Sequence, residues 1–171
     1  MAAQGFLARV AGRTKQLFGL QVSAGAADAG KIPALNNDGV LDVTLLPAGI
    51  GANTVTATAS ETLAAGDFVN LWSDSGVLKV RKADNSNNRR ADGYVKVAVS
   101  SAASATVYRL NTINANRSGL TPGAEYWLGT AGGVISSPLD PATNTGKTDQ
   151  YLGYAKSATE LVTVEEAPVY L

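Results

Sequence analysis

Apolar and polar residues follow a regular pattern only in the last two thirds of the chain. From residue 54 onward, short runs rich in Val, Thr, Ala and aromatic residues recur with Gly, Asn, Asp and Ser between them. Such short runs separated by turn residues are typical of an all-β domain, either a compact antiparallel barrel or a sandwich. The predicted strands are 54–60, 68–72, 77–82, 93–100, 106–110, 125–128, 133–136, 151–156, 160–164 and 168–171.

Three of these segments carry more specific expectations. "GTAG" at 129–132 predicts a hairpin turn between two strands, and "SAT" at 157–159 predicts a second one. In 93–100, "GYVKVAVS" alternates strictly, which predicts a strand with two different faces. One face would carry Tyr94, Lys96 and Ala98, and the other Val95, Val97 and Val99.

The segment 25–51, "GAADAGKIPALNNDGVLDVTLLPAGIG", has a different pattern. Gly, Pro, Asn and Asp interrupt it too often for a long helix or strand, but aliphatic residues fill the positions between them. A solvated linker would contain few such residues. In the preceding stretch, Phe6, Val10 and Leu17 roughly share a helical face that Gly12 interrupts, so helical and extended conformations both remain open.

The hydrophobic gain available within 1–52 falls short of the entropy that ordering it would cost, so this part cannot fold alone. We therefore predict an extended N-terminal arm, 1–52, that docks onto a partner surface, and a β-barrel or sandwich head domain, 53–171. The candidate partner-binding residues are ten large apolar residues of the arm and its two arginines: Phe6, Leu7, Arg9, Arg13, Leu17, Phe18, Ile32, Leu35, Leu41, Leu45, Leu46 and Ile50.

Composition excludes several kinds of chemistry. The chain has no Cys and no His, which removes disulfides, thiol nucleophiles, thiolate or imidazole metal ligands and imidazole bases. Its formal net charge is zero, and Arg9, Arg13 and Lys15 are the only charges before Asp28. Three cations are too few to predict binding to nucleic acid or membrane. No apolar run suits a transmembrane span or a cleaved leader, so we expect the chain to be the mature product.

The polar motifs in the second half each have an ordinary structural explanation. "GTAGG" at 129–133 lacks the Lys and Ser/Thr of a phosphate-binding loop. Asn116-Arg117-Ser118 fits the glycosylation pattern by chance, because nothing predicts secretion. Asp140 and Asp149 flank a polar loop that could hold calcium, but their spacing fits no EF-hand and a solvated loop is the preferred interpretation.

No residue cluster predicts catalysis. Glu165 and Glu166 could be an acid pair for glycoside cleavage, but neighbours in a strand face opposite sides and would not line one cleft. Trp72 and Trp127 could stack on sugars, although their apolar neighbours favour core or subunit contacts. No Ser-Lys arrangement is evident. We expect no catalytic residue, no cofactor, no metal and no small-molecule ligand.

Several phrases of the sequence resemble structural proteins of tailed bacteriophages. These phrases are "DAGKIPALNNDGVLDVTLLPAGIG" (28–51), "ETLAAGDFVNLWSDSGVLKVRKAD" (61–84), "ADGYVKVAV" (91–99), "GLTPGAEYWLGTAGGVISSP" (119–138) and "YLGYAKSATELVTVE" (151–165). They are similar to capsid decoration (cement) and head-fibre proteins and to related tail-fibre modules. The resemblance implies a homotrimeric β domain on the outer surface of the virion, assembled in the host cytoplasm, with the arm bound to the major capsid protein.

Two other functions remain as alternatives. A tail-fibre or baseplate module would bind host-surface glycans through a solvent-facing aromatic pocket, for which Trp72, Trp127 and Tyr94 are the candidates. An enzyme such as an unusual hydrolase is the third possibility, and the lack of His and of a clustered acid pair speaks against it.

Overall fold

The computed structural model describes residues 5–46 and 53–171, which belong to two compact units, 1–52 and 53–171. The described residues form strands, turns and short 3-10 segments, and none of them lies in an α-helix. The all-β prediction is therefore confirmed. Within the described ranges, no helix is long and apolar enough to cross a membrane.

The first unit begins with a two-stranded antiparallel hairpin, β1 (Gly5–Val10) and β2 (Arg13–Phe18). Ala11 and Gly12 form the turn with φ of 51° and 77°, so both lie in the left-handed region that two-residue hairpin turns require. The sequence pattern left helix and extended chain open, and the structure shows a hairpin. Two short 3-10 segments follow, Ala26–Asp28 and Val43–Leu45.

The second unit contains the remaining strands, with a 3-10 turn at Asn85–Asn87. In chain order these strands are β3 (Thr54–Ala59), β4 (Phe68–Asp74), β5 (Val77–Lys82), β6 (Gly93–Val95), β7 (Ser104–Arg109), β8 (Ile113–Asn114), β9 (Glu125–Leu128), β10 (Val134–Ile135), β11 (Thr148–Asp149), β12 (Tyr151–Ala155), β13 (Leu161–Thr163) and β14 (Val169–Tyr170). Most coincide with predicted strands, and the two-residue strands β8 and β11 were not predicted.

Five of these strands close into a barrel in the order β3-β5-β4-β6-β7. Neighbouring strands are antiparallel except β3 and β5, which run parallel with Thr58 opposite Lys79. The barrel is antiparallel, as predicted, apart from this one pair. A ring of five strands cannot alternate direction all the way round, so at least one neighbouring pair must be parallel.

A second sheet has the order β10-β9-β12-β13-β8, and β11 pairs with β14. The predicted hairpin turn after β9 is confirmed, since Val134 on β10 lies opposite Leu128 on β9. The predicted hairpin between β12 and β13 is confirmed as well, with Ala155 opposite Leu161.

Two hydrophobic cores fill this unit. In some strands one residue belongs to the first core and the next residue belongs to the second core. The barrel core consists of Ala57, Ala59, Leu63, Val69, Val80, Val95, Val99, Ala105 and Val107. The second core consists of Phe68, Ala83, Ala91, Tyr94, Leu110, Leu120, Tyr126, Leu128, Leu152, Ala155 and Leu161.

The second core explains why the alternation predicted for 93–100 is wrong. Tyr94 and Val95 are both fully buried because each faces a different core. Lys96, Val97 and Ala98 are all exposed, and the strand ends at Val95. Alternation distinguishes a core face from a solvent face, but here both faces of the strand are core faces.

Candidate interaction surfaces

The hairpin of the first unit exposes apolar side chains on both of its faces. Phe6 lies opposite Leu17 on one face, while Leu7 and Phe18 are on the other. Leu7 is 74% exposed and Phe18 is 61% exposed. A two-stranded hairpin is marginally stable by itself in water, and one with apolar groups on both faces gains stability when a partner covers them.

The other end of the hairpin, near the turn, is basic. Arg9, Arg13 and Lys15 are exposed, and none of them forms an ion pair with any residue in the described part of the chain. The hairpin thus combines an apolar base with a positively charged tip. Such a surface is complementary to a partner that offers apolar contacts beside acidic groups.

Residues 19–46 hold their own backbone together through polar contacts. The Leu20 N–H donates to the Ile32 carbonyl over 2.8 Å, and the Leu20 carbonyl accepts from the Ala34 N–H over 2.8 Å. Asn36 Oδ1 accepts the N–H groups of Asp38 and Val40, which closes a turn. These contacts fix the course of the chain without burying an apolar group.

Side-chain contacts across this segment reinforce that framework. The Ser23 N–H donates to Thr44 Oγ1 over 2.9 Å, and Gln21 Nε2 donates to the Leu35 carbonyl over 2.7 Å. Asp42 Oδ1 accepts from the backbone N–H of Thr44 over 2.9 Å. These polar groups satisfy one another within the segment, while Val22, Ile32, Leu35, Val40 and Leu41 are exposed.

None of residues 5–42 and 44–46 is buried. Of the predicted partner-binding residues, Leu7, Arg9, Arg13, Leu17, Phe18, Ile32, Leu35 and Leu41 are exposed, and Phe6, Leu45 and Leu46 are half-buried. Ile50 lies outside the described residues. Val22 and Val40 are exposed in the same way and were not on the predicted list. Their apolar character within a Gly- and Asn-rich context was the signal that could have identified them.

The three aromatic residues named for the glycan-binding alternative do not all face solvent. Tyr94 is fully buried, so its prediction as a solvent-facing residue is wrong. The guanidinium of Arg81 lies 4.6 Å from the ring centroid of Trp72, whose Nε1 donates to Ser60. Trp127 packs edge-on against Tyr151 with 5.4 Å between ring centroids. Both tryptophans are half-buried, as expected for residues that pack against neighbours.

Glu165 and Glu166 line one shallow depression, contrary to the expectation that they would face opposite sides. Their segment is not a strand, so the alternation rule does not apply to it. The depression, of about 270 Å³, is also lined by Asp92 and Arg109. Arg109 Nη2 lies 3.1 Å from a carboxylate oxygen of Glu165, so that one of the two acids is already paired.

The polar loop at 140–149 uses its oxygen atoms internally. Asp140 Oδ1 accepts the Ala142 N–H over 2.9 Å, and Asp149 Oδ1 accepts the Leu139 N–H over 3.1 Å. Across residues 5–46 and 53–171, no group of three or more His, Cys, Asp or Glu residues is placed to hold a metal ion.

A larger depression lies between the 117–121 loop and the β9–β10 hairpin, with a volume of about 670 Å³. Its one charged residue is Arg117, whose Nη1 donates to the carbonyl oxygens of Gly66 over 2.9 Å and Gly132 over 3.3 Å. The guanidinium carbon lies 5.7 Å from the ring centroid of Phe68. Burial lowers the pKa of Arg117, while the nearby Asp67 carboxylate opposes that shift.

Comparison with solved structures shows a similarity to a phage protein. No protein-family model matches the sequence, and no curated protein matches it significantly. The crystal structure of the head fiber gp8.5 N base in bacteriophage phi29 is similar to this chain with a TM-score of 0.44 and 15% sequence identity. The match covers 67% of this chain and 95% of the phage protein. Similarity at this level is too low to assign a shared function.

Proposed function

We propose that this protein is a structural protein of a tailed-bacteriophage virion, a decoration protein that binds the outside of the assembled head and stabilises it. The arm, 1–52, would bind the major capsid protein, and the unit 53–171 would project from the surface. The observation that carries the proposal is the absence of buried residues among residues 5–42 and 44–46, despite their many exposed aliphatic and aromatic side chains. The resemblance of the sequence to decoration and head-fibre proteins supports it.

The proposed attachment depends on the aliphatic side chains that the arm exposes and on the hydrogen bonds that its polar groups form within the segment. The side chains of Gln21, Asn36 and Asp42 already form hydrogen bonds within the segment, so a partner that covers the neighbouring aliphatic side chains leaves these polar groups paired. Val22, Ile32, Leu35 and Val40 each expose slightly more than half of their surface. Burying the remainder contributes about 1 kcal/mol for each such side chain.

The energetics favour several arms acting together. About ten such side chains give a gross gain on the order of 10 kcal/mol, which is comparable with the 4–15 kcal/mol that association costs. One arm would then bind weakly, whereas linked arms would bind tightly by raising the effective concentration of each other. The proposal therefore includes a homotrimer, which the resemblance implies and which matches the local threefold symmetry of a capsid.

A decoration protein stabilises the head because it binds the assembled shell in preference to unassembled subunits. A protein that binds only the closed lattice stabilises it by mass action, by an amount that grows with the concentration of the free protein. Assembly would take place in the host cytoplasm, and the mature protein would reside on the outer capsid surface. The absence of Cys suits such an assembly compartment.

The test compares two leucines of similar exposure in different units. Leu41 is 45% exposed in the arm and Leu78 is 48% exposed on β5. Phage heads that lack the protein are mixed with the wild type, with Leu41→Asp, with Leu78→Asp and with a chain lacking residues 1–24, and then sedimented. We expect Leu41→Asp and the truncation to lose at least about tenfold in affinity because a charge is stranded or contacts are removed, and Leu78→Asp to bind like the wild type.

Two results would overturn the proposal. Full binding by both the truncated chain and Leu41→Asp would show that the arm is not the attachment segment. Failure of the wild type to bind heads, together with its presence in purified tails, would support the fibre alternative. Sedimentation equilibrium of the unbound protein measures the oligomeric state, and a monomer would contradict the homotrimer.

A further inference from the structure

Arg117 is the most unusual side chain in the second unit. Its Nε is buried and has no hydrogen-bond partner. Nη1 is occupied by two carbonyl oxygens, and no hydrogen bond to Nη2 forms within the described chain. Arginine keeps its charge in proteins, so the guanidinium is a positive charge with several unused donors.

No acidic group of the described residues neutralises this charge directly. The charge of Asp67 acts on Arg117, but the Asp67 carboxylate lies 3.6 Å from Lys82 Nζ and forms no ion pair with Arg117. The residues that line the depression include no Asp and no Glu. A partly desolvated cation that faces an open depression without an acid is a place where an external carboxylate can gain a charge-assisted hydrogen bond.

The rest of the lining is hydroxyl-rich on the outside and aliphatic at the base. The hydroxyl groups of Ser118, Thr121, Ser136 and Ser137 are exposed and make no hydrogen bond with any described residue. Leu120, Val134 and Ile135 supply the apolar part. Alternating hydroxyl and C–H groups are what a pyranose ring presents, and an acidic sugar adds one carboxylate for the arginine.

From this arrangement we infer that the depression between 117–121 and the β9–β10 hairpin binds an acidic saccharide. The carboxylate would accept hydrogen bonds from Arg117, and the ring hydroxyls would exchange hydrogen bonds with the serine and threonine side chains. This site is separate from the arm and differs from the aromatic pocket expected for a glycan-binding module. It gives the projecting unit a function of its own beside attachment.

Other anionic partners fit the depression less well. A nucleic acid needs several cations along its phosphates, and Arg117 is the one charged residue of the lining. An acidic peptide that added a strand to the sheet would use the edge strand β10, which is only two residues long. A free phosphate would pair with the charge of the arginine but would make no contact with the aliphatic side chains of the lining.

The test uses trigalacturonate and its methyl ester, which has the same rings without charge, with binding measured by calorimetry. The full-length protein is compared with two variants. Ser136→Asp places a negative charge, of the same sign as the ligand, in the lining of the depression, and Ser100→Asp changes an exposed serine outside the depression. We expect saturable binding of trigalacturonate, about tenfold weaker binding of the methyl ester, a similar loss in Ser136→Asp and no change in Ser100→Asp. Both variants keep Arg117 and its hydrogen bonds to the backbone, and both change an exposed serine, so we expect both to fold like the wild type.

Competition experiments identify the ligand class. Inorganic phosphate or a glutamate-rich peptide that displaced trigalacturonate at equal concentration would overturn the assignment to a saccharide. Equal affinity for the methyl ester would show that the carboxylate is not recognised. Unchanged binding in Ser136→Asp would place the binding elsewhere on the protein, and absence of measurable binding by the wild type would refute the inference.

Discussion

The side-chain amide of Gln150 forms two hydrogen bonds with the backbone of Ala91. The Ala91 N–H donates to Oε1 over 2.7 Å, and Nε2 donates to the Ala91 carbonyl oxygen over 3.0 Å. Both residues are almost fully buried. The amide therefore takes the place of a neighbouring strand for Ala91 and satisfies two backbone groups that would otherwise be unpaired inside the protein.

Replacing Gln150 by Leu should destabilise the protein by about 2–4 kcal/mol. Leucine fills a similar volume but leaves the N–H and the carbonyl of Ala91 buried without partners, and each such group costs about 1–3 kcal/mol. Urea unfolding followed by circular dichroism measures the change. Gln16→Leu is the control, because Gln16 is exposed on β2 and the same substitution there should change stability by less than about 0.5 kcal/mol. Equal stability of the two variants would contradict the prediction.

Gly66 should tolerate no larger residue. Its φ is +87°, and an added Cβ would collide with the carbonyl oxygen of Asn116. The Gly66 carbonyl accepts hydrogen bonds from Asn114 Nδ2 and Arg117 Nη1, each over 2.9 Å, so the backbone cannot move away without losing them. We expect Gly66→Ala to lower the free energy of unfolding by about 2–4 kcal/mol.

The matched control for this variant is Gly76→Ala. Gly76 has nearly the same φ, +86°, but no atom lies within 4 Å of the position that its Cβ would occupy. Alanine at this turn should cost only about 1–2 kcal/mol, because the backbone strain remains and the collision is absent. Thermal unfolding of both variants separates the two contributions, and a Gly76→Ala variant as unstable as Gly66→Ala would show that strain alone determines the effect.

The sequence predicts most strands of the second unit because each combines β-branched or aromatic residues with turn residues nearby. Val77–Lys82 and Glu125–Leu128 were predicted with their observed bounds. The strand at 93–100 was predicted too long because its alternation continues past Val95, although a second core changes which residues are buried. The parallel pairing of β3 with β5 depends on closure of the ring, which no local pattern encodes.

The candidate sites were predictable to different degrees. The exposed aliphatic residues of the first unit were predictable from their Gly- and Asn-rich context. The hairpin was not predictable, because Phe6, Val10 and Leu17 share one face of a helix as well as one face of the hairpin. Arg117 was considered only as part of a chance glycosylation pattern. Its environment comes from Phe68, Gly66 and Gly132, which are distant in sequence, so one-dimensional patterns contain no signal for it.

Asp84 should make the stability of the second unit depend on pH in the acidic range. Burial alone would raise the pKa of its carboxyl, but hydrogen bonds from Ser86 and Ala131 outweigh burial and hold the pKa below its ordinary value. Its ionised form therefore stabilises the folded state. That contribution is present above about pH 4 and is lost as the pH falls through the folded-state pKa.

The variant Asp84→Asn tests this dependence. At pH 7 it should be less stable by roughly 1 kcal/mol, because the amide nitrogen cannot accept the Ala131 N–H and the charge at the 3-10 N-terminus is lost. At pH 3 the difference from the wild type should shrink towards zero. Asp38→Asn is the control, because this aspartate is exposed and its carboxylate accepts no hydrogen bond from any residue that the structure describes. A difference between Asp84→Asn and wild type that is the same at both pH values would refute the prediction.

The fragment 53–171 should fold without the arm. Every residue of both hydrophobic cores lies between Ala57 and Leu161, and the strands of the barrel and of the second sheet all begin after residue 53. We expect the fragment to unfold cooperatively, with a midpoint within a few degrees of the full-length protein, because the arm adds no buried residue among those described. Thermal denaturation with amide hydrogen exchange measures both chains. A fragment that aggregates, or whose barrel amides lose protection, would show that the second unit needs the arm, and attachment and folding would then no longer be separable functions of the two units.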